Sequence, residues 1–322
     1  MSNKLKAVSL FCGCGGTDVG LKGNFKFLNQ HYSDNDIKIV FANDIEQKAI
    51  DIFVENFSCP VFAGDIKKLN YKDIPEHDIL TGGFPCQSFS IVAQNPPRLG
   101  IKDEKGELFF EMCKILKEKK PSVFIAENVK GILSANKKEA FPLILDEFKK
   151  SGYFVTWSLL NSFDFGVPQR RERVFIVGFK DEDAFNKFHF PEPKISEKAI
   201  LSDVIFPESE IESKYYFSER AVQGLLNSNK KMNKGRAQDI TQPCNTVGAH
   251  LAKVSLNSTD PVLCINGRYR RFTPREVARI QSFPDEFKLV GSDSSQYKAL
   301  GNAIPPVMFW YLVQEIKNAL SK

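Results

Sequence analysis

Short apolar runs recur through the first half of the chain. They are KAVSLF (6–11), KIVFAND (38–44), PVFAGDI (60–66), HDILTGGFP (77–85) and SVFIAENV (122–129). Runs so short and so apolar read as strands buried on both faces. Between them, QKAIDIFVENF (47–57) and LFFEMCKILKEKK (108–120) repeat apolar residues at helical spacing. KEAFPLILDEFKKSG (138–152) continues that spacing and stops at a glycine, and YFVTWSLLN (153–161) and RVFIVGFK (173–180) read as two more strands. Such alternation leaves few folds open. It predicts an α/β domain, a mostly parallel sheet with helices on both faces, whose ligands collect at the carboxyl ends of the strands.

The alternation stops after Lys180. Residues 181–265 hold short apolar pieces, prolines and a basic run, NSNKKMNKGRAQ (227–238). Regularity returns in TPREVARIQSFP (273–284), and GNAIPPVMFWYLVQEIKNAL (301–320) reads as a helix opened by prolines. Residues 1–180 and 266–322 are thus expected to form one domain, and 181–265 a second, smaller one. The last helix should pack back on the first domain.

Composition excludes several classes. No run approaches the roughly 18 apolar residues of a membrane span, and the apolar stretch at the N-terminus is too short and too glycine-rich for a signal peptide. The seven cysteines contain no CxxC pair and the four histidines are scattered, so no metal site is expected. Their odd number and irregular spacing suit free thiols in a reducing cytosol. A net charge of +5, from 44 basic and 39 acidic side chains, permits a local basic face without proving one.

The strand ends carry the chemistry. After the first run, Gly13, Gly15 and Gly16 allow a tight turn and close backbone approach to a ligand. The second run ends at Asp44, which could accept hydrogen bonds from ribose hydroxyls. In the third, Asp65 could take an amino group from adenine, with Phe11 and Ile66 against the ring. Each acid alone is equally well a helix N-cap. Three consecutive strand ends of this kind favour a nucleoside site.

The fourth run ends in GGFPCQSFS, with Cys86 at the turn. Most cysteines are buried and inert, but a core does not need a thiol at the rim where active sites gather. The fifth run ends with Glu127 at the same rim. Arg171 and Arg173 follow in PQRRERVF, either as a surface ion-pair strip or as anchors for a phosphate or base.

FCGCGG, GGFPCQSFS, AENVKG, PQRRERVF, RFTPREVARIQSFP and YKALGNAIPP stand in the order of the motifs of the cytosine carbon-5 DNA methyltransferases, and resemble them residue for residue. The resemblance runs over about residues 6–180 and 266–318. It is poor between them, where that family carries its target-recognition region. It implies a Rossmann-like S-adenosylmethionine-dependent methyltransferase sheet with a smaller target-recognition domain. By the same resemblance Cys86 attacks carbon 6 of cytosine, Glu127 stabilises protonation at ring nitrogen 3, and Arg171 and Arg173 contact the base. Phe11, Gly13, Gly15, Gly16, Asp44, Ile45, Asp65, Ile66, Pro85 and Asn302 match the S-adenosyl-L-methionine positions.

The target would be a cytosine flipped out of duplex DNA. In the family the loop equivalent to 88–106 closes over DNA, which puts Ser88, Arg98 and Lys102 near it. Gln169, Thr246 and the basic residues Lys230, Lys231, Lys234 and Arg236 are further expected DNA contacts. The resemblance also implies a cytoplasmic monomer, with a cognate restriction endonuclease as a genetic partner.

Other readings remain. A transfer-RNA cytosine methyltransferase would keep Cys86 and Glu127, but the middle segment has no CFT sequence. A non-catalytic DNA-binding relative would have lost one of those two residues. A dinucleotide oxidoreductase would leave the thiol and arginine motifs unexplained, and the glycine turn is not GxGxxG.

Overall fold

The computed structural model describes residues 4–85, 107–194, 198–226, 237–253 and 260–321. The strands in chain order are β1 (Leu5–Leu10), β2 (Phe25–Phe27), β3 (Gln30–Tyr32), β4 (Ile37–Asp44), β5 (Val61–Ala63), β6 (Ile79–Gly82), β7 (Val123–Val129), β8 (Phe154–Asn161), β9 (Gln169–Arg170), β10 (Glu172–Phe179), β11 (Cys244–Asn245), β12 (Leu263–Ile265) and β13 (Arg268–Arg270). Seven of them form the central sheet, in the order β5-β4-β1-β6-β7-β10-β8. The pairs from β5 to β7 are parallel, and β10 runs against both β7 and β8. The order reverses between β1 and β6, so a crevice opens there at the carboxyl ends of the strands.

Helices cover both faces, as the doubly apolar strand runs require. The pleat sends Ala7, Ile125 and Phe175 to one face and Val8, Phe124 and Val174 to the other. The helices Gly16–Lys22, Gln47–Asn56 and Pro306–Leu320 cover the first face; Glu107–Lys119 and Ala140–Lys150 cover the second. Phe124 and Phe148 stack with ring centroids 4.5 Å apart. Both are fully buried, each worth roughly 1.5–3 kcal/mol of transfer free energy.

The C-terminal helix does return to the first domain, but it begins only at Pro306. A separate helix, Asp293–Asn302, ends just before it, because the residue preceding a proline is held out of helical conformation. Two glycines let the last helix come close. A Cβ on Gly16 would lie 2.4 Å from the Ile304 carbonyl oxygen, and one on Gly20 2.5 Å from that of Pro306.

Described residues within 181–265 contribute to the same core as the sheet. Ala184, Phe188, Leu201, Val204, Cys244, Val247, Leu251 and Leu263 belong to the apolar cluster on the first face. β11 pairs in parallel with β9, directly before the Arg171 segment. The third apolar run is a strand only over Val61–Ala63, since Gly64 ends it and Asp65 caps a turn of 3-10 helix.

One buried acid makes the fold pH-sensitive. Asp18, in the first turn of the first helix, is fully inaccessible, and its Oδ1 has no hydrogen-bond partner among the described residues. Burial pushes its pKa up to about 7, against partial relief by hydrogen bonds. The folded protein therefore keeps this proton where the unfolded chain has lost it, between about pH 3.9 and 7. Stability contributed by the neutral carboxyl is complete below that window and is lost as the pH rises through it. Asp18→Asn is expected to remove the decline, which amounts to roughly 4 kcal/mol at most. Denaturant titrations of both proteins at pH 5 and pH 8 sample roughly 3 kcal/mol of it, and equal pH dependence would refute it.

Candidate active site

Strand register builds the rim. Leu10 pairs with Asn43 on one side and Gly82 on the other, Asn43 with Phe62, and Gly82 with Ala126. These residues form one row across the sheet, so the positions just beyond them share a ledge: Phe11, Asp44, Gly83 and Glu127. The antiparallel β10 starts at this same edge, where Phe175 faces Glu127 and Arg173 faces Val129. A cavity of about 660 Å³ opens on the ledge. Phe11, Gly13, Gly16, Asp44, Ile45, Asp65, Ile66, Pro85, Asn302, Glu127, Arg171 and Arg173 all line it. Apart from Gly15, the residues expected to hold the cofactor therefore share one continuous space with Glu127, Arg171 and Arg173.

At the nucleoside end the backbone is bent to fit. Phe11 sits at φ 53°, a left-handed conformation that a phenylalanine adopts only when its surroundings enforce it. Gly13 follows at φ 55°, with none of the described residues within 4 Å of where a Cβ would stand. The carboxylate of Asp44 ties this turn down: Oδ2 accepts from Gly13 N–H at 2.7 Å and Oδ1 from Glu46 N–H at 2.8 Å. Next to it the Asn43 amide donates to the carbonyls of Phe62 and Gly64, each at 2.9 Å, and so places Asp65. Asp65 caps its turn by accepting from Lys67 N–H at 3.0 Å. Two carboxylates, the apolar faces of Phe11 and Ile66, and the open side of Gly13 suit an adenosine moiety. Lys298 forms an ion pair with Glu46 across the mouth of the cavity, between the Asp293–Asn302 helix and the loop after β4.

Gly15 stands apart from the ligand space. It holds the left-handed conformation at φ 94°, and a Cβ there would strike the Phe57 ring at 2.4 Å. Its role is to let the turn pack on the Gln47–Asn56 helix. Cys12 and Cys14 are buried, and burial raises both thiols far above the range of a reactive thiolate.

At the other end, Glu127 and Arg173 form an ion pair with Oε1 and Nε 2.9 Å apart, their side chains 14% and 13% exposed. The contact lacks hydrogen-bond alignment, so among the described residues this oxygen has no directed donor. Burial raises the Glu127 pKa, and Arg173 and Arg171 pull it partly back. The net direction is upward, which keeps a proton within reach of this carboxyl. Arg173 Nη1 also donates to the Glu172 carbonyl at 2.7 Å.

Asn128 supplies a contact that its sequence position alone did not assign. Its amide is buried and donates to the Phe84 carbonyl at 2.9 Å. It thereby pins the end of β7 to the chain two residues before Cys86. A polar residue between apolar strand positions was the available signal.

Cys86 itself lies outside the described residues, as do Ser88, Arg98, Lys102, Lys230, Lys231, Lys234 and Arg236. Thr246 is exposed, its hydroxyl donating to the Arg170 carbonyl at 2.7 Å. Gln169, expected to face DNA, is instead wholly buried, with both ends of its amide bonded inside the protein. Sequence order placed it beside the arginines, but the strand pleat turned it inward. Arg171 is also fully buried and donates to the carbonyls of Val247 and Gly301, at 3.0 and 2.8 Å.

The family model "C-5 cytosine-specific DNA methylase" matches residues 5–318. The Type II methyltransferase M1.ScrFI of Lactococcus lactis subsp. cremoris is 36% identical, over 99% of this chain and 79% of its own. The Type II methyltransferase M.NlaX of Neisseria lactamica is 33% identical, over 98% of this chain and 97% of its own. Among solved structures, the S. pombe Dnmt2 methyltransferase superposes with a TM-score of 0.76 at 22% identity, over 99% of this chain and all of its own, which shows a shared fold. With a family model spanning nearly the whole chain, and relatives a third identical along its length, the protein belongs to the C-5 cytosine-specific DNA methylases.

Proposed function

We propose that the protein transfers a methyl group from S-adenosyl-L-methionine to carbon 5 of a cytosine flipped out of a specific duplex DNA sequence, as the modification enzyme of a restriction–modification system. One observation carries this reading. A single cavity joins a ledge suited to adenosine with the Glu127–Arg173 pair, and it reaches Pro85, the residue before Cys86.

Phe11, Ile66, Asp44, Asp65 and Asn302 would hold the cofactor. When bound, S-adenosylmethionine supplies an electrophilic methyl group on a sulfonium sulfur. The protein's own residues make carbon 5 nucleophilic. The Cys86 thiolate forms a bond to carbon 6, and the ring electrons move towards carbon 5. Glu127 holds a proton at ring nitrogen 3, so negative charge does not build up on the ring, and Arg173 orients the carboxyl. Once carbon 5 is methylated, loss of its proton lets the bond from Cys86 to carbon 6 break, and the thiolate returns.

A flipped base costs a few kcal/mol of unstacking, which contacts to the flanking DNA must offset. Segment 181–265 is the recognition region in this reading, with Thr246 and the basic run around Lys230 at phosphate. The family resemblance further supports action as a cytoplasmic monomer with a cognate endonuclease as genetic partner. The names of the curated relatives support the restriction–modification context.

Bisulfite sequencing of unmethylated duplex DNA, after incubation with the protein and S-adenosylmethionine, tests the proposal. Protected cytosines in one recurring context are expected. Protein that binds the cofactor but protects none would turn the reading towards transfer RNA.

A further inference from the structure

Two buried amides form a chain of one polarity beneath the cavity. Val247 N–H donates to Gln169 Oε1 at 2.8 Å, Gln169 Nε2 donates to Gln281 Oε1 at 2.7 Å, and Gln281 Nε2 donates to the Leu300 carbonyl at 2.6 Å. Both ends are backbone groups whose roles cannot change, since an N–H only donates and a carbonyl only accepts. Turning either amide over would set oxygen against oxygen or N–H against N–H. The chain therefore has one allowed arrangement, and both glutamines are fully buried in it.

Neighbouring contacts grip the same two backbone segments. Arg171 bridges the carbonyls of Val247 and Gly301, and the Thr246 hydroxyl donates to the Arg170 carbonyl. Val247 is thus held at its N–H by Gln169 and at its carbonyl by Arg171. The segments also touch directly: a Cβ on Gly301 would stand 2.3 Å from the carbonyl carbon of Gly248. One segment carries the exposed Thr246. The other continues into Asn302, which lines the cavity.

We infer that Gln281, acting through Gln169, is a positioning residue that sets the Thr246–Val247 loop against the turn carrying Asn302, so that the DNA-side and cofactor-side walls of the site keep one fixed spacing. The inference rests on the proposed reading that the Thr246 loop meets DNA. Glutamine is required at both positions because each link must donate at one end and accept at the other. A hydrocarbon of similar length at Gln281 leaves the Gln169 amide N–H unpaired and leaves the Leu300 carbonyl only its bond from Ala303 N–H, and the Thr246–Val247 loop loses its link through Gln281 to the Asn302 turn.

The test compares Gln281→Met, Gln169→Met, the double variant and Gln281→Glu with the wild type, in KM for DNA, kcat, cofactor affinity and thermal midpoint. Gln281→Met is expected to raise KM for DNA on the order of ten-fold, the scale of one unsatisfied buried hydrogen bond. The cofactor dissociation constant and kcat should change far less. The double variant should be no worse than the worse single one, because either substitution already breaks the chain. Gln281→Glu also covers the case in which the methionine variants fold poorly. Its protonated carboxyl can still accept from Gln169 and donate to Leu300, so KM relative to the wild type should recover at low pH and worsen as the pH rises. An unchanged KM for DNA in a folded Gln281→Met, or singles whose effects simply add, would overturn the inference. Wild-type protein that methylates no DNA would instead sink the proposed function, and the two failures are told apart by that first measurement.

Discussion

Turnover by Cys86→Ser is expected to fall below detection, and turnover by Glu127→Gln on the order of 10²–10⁴-fold, the usual contribution of a positioned acid–base group. Cofactor affinity should stay near the wild-type value in both. The serine hydroxyl is a far weaker nucleophile at neutral pH than a thiolate, so the bond to carbon 6 does not form. The glutamine keeps the shape of Glu127 but has no carboxyl proton to hold at ring nitrogen 3. Glu127 is largely buried beside Arg173, and burial moves its pKa upward on balance. The wild-type rate should therefore decline as the pH rises through that raised value, and Glu127→Gln should lack this limb. Single-turnover rates across pH, with cofactor binding measured in parallel, decide the matter. Retained methylation by Cys86→Ser would remove the covalent step from the mechanism.

Glu276→Ala is expected to cost about 3–5 kcal/mol of folding stability, as the breaking of a buried ion pair does. This carboxylate is wholly inaccessible and carries four bonds. Oε2 accepts from Arg270 Nη1 at 2.9 Å and from Thr273 N–H at 2.7 Å; Oε1 accepts from Arg270 Nη2 and from Phe206 N–H, both at 2.9 Å. Thr273 returns the bond to Glu276 N–H and closes a capping box at the start of the helix Pro274–Ile280. Arg270, also fully buried, holds Glu208 with its Nε at 2.8 Å. Removing Glu276 leaves Arg270 charged in the core and unties the 206–208 segment from the helix. Denaturant unfolding measures the loss. Arg270→Met combined with Glu276→Leu should recover much of it, because burying two charges is costly even when they pair. A loss below about 1 kcal/mol for Glu276→Ala would mean that water reaches the pair.

The sequence alone determined the parts that depend on local periodicity. Apolar runs a few residues long cannot be surface strands, and their alternation with helical spacing admits a doubly wound sheet and little else. The carboxyl-end rule by itself directs Phe11, Asp44 and Glu127 to one rim. The limits of local reading are visible at particular residues. Gly15 and Gly16 looked alike as ligand glycines, yet Gly15 makes room for the Phe57 ring and only Gly16 reaches the cavity.

Tertiary structure decided whatever depended on partners distant in sequence. Gln169 looked like a DNA contact, but its amide is held by Val247 and Gln281, 78 and 112 residues away. Leu201, Cys244 and Val247 stand in a stretch of weak periodicity, and only packing shows that they belong to the same apolar cluster as Ala7 and Phe175 of the sheet. Asn128 and Glu276 look like ordinary polar residues until the Phe84 carbonyl and the Arg270 guanidinium are placed against them. The physical reason is the same in each case. Backbone periodicity is encoded residue by residue, whereas a buried hydrogen bond needs two groups at a definite separation, and only the packed chain brings them together.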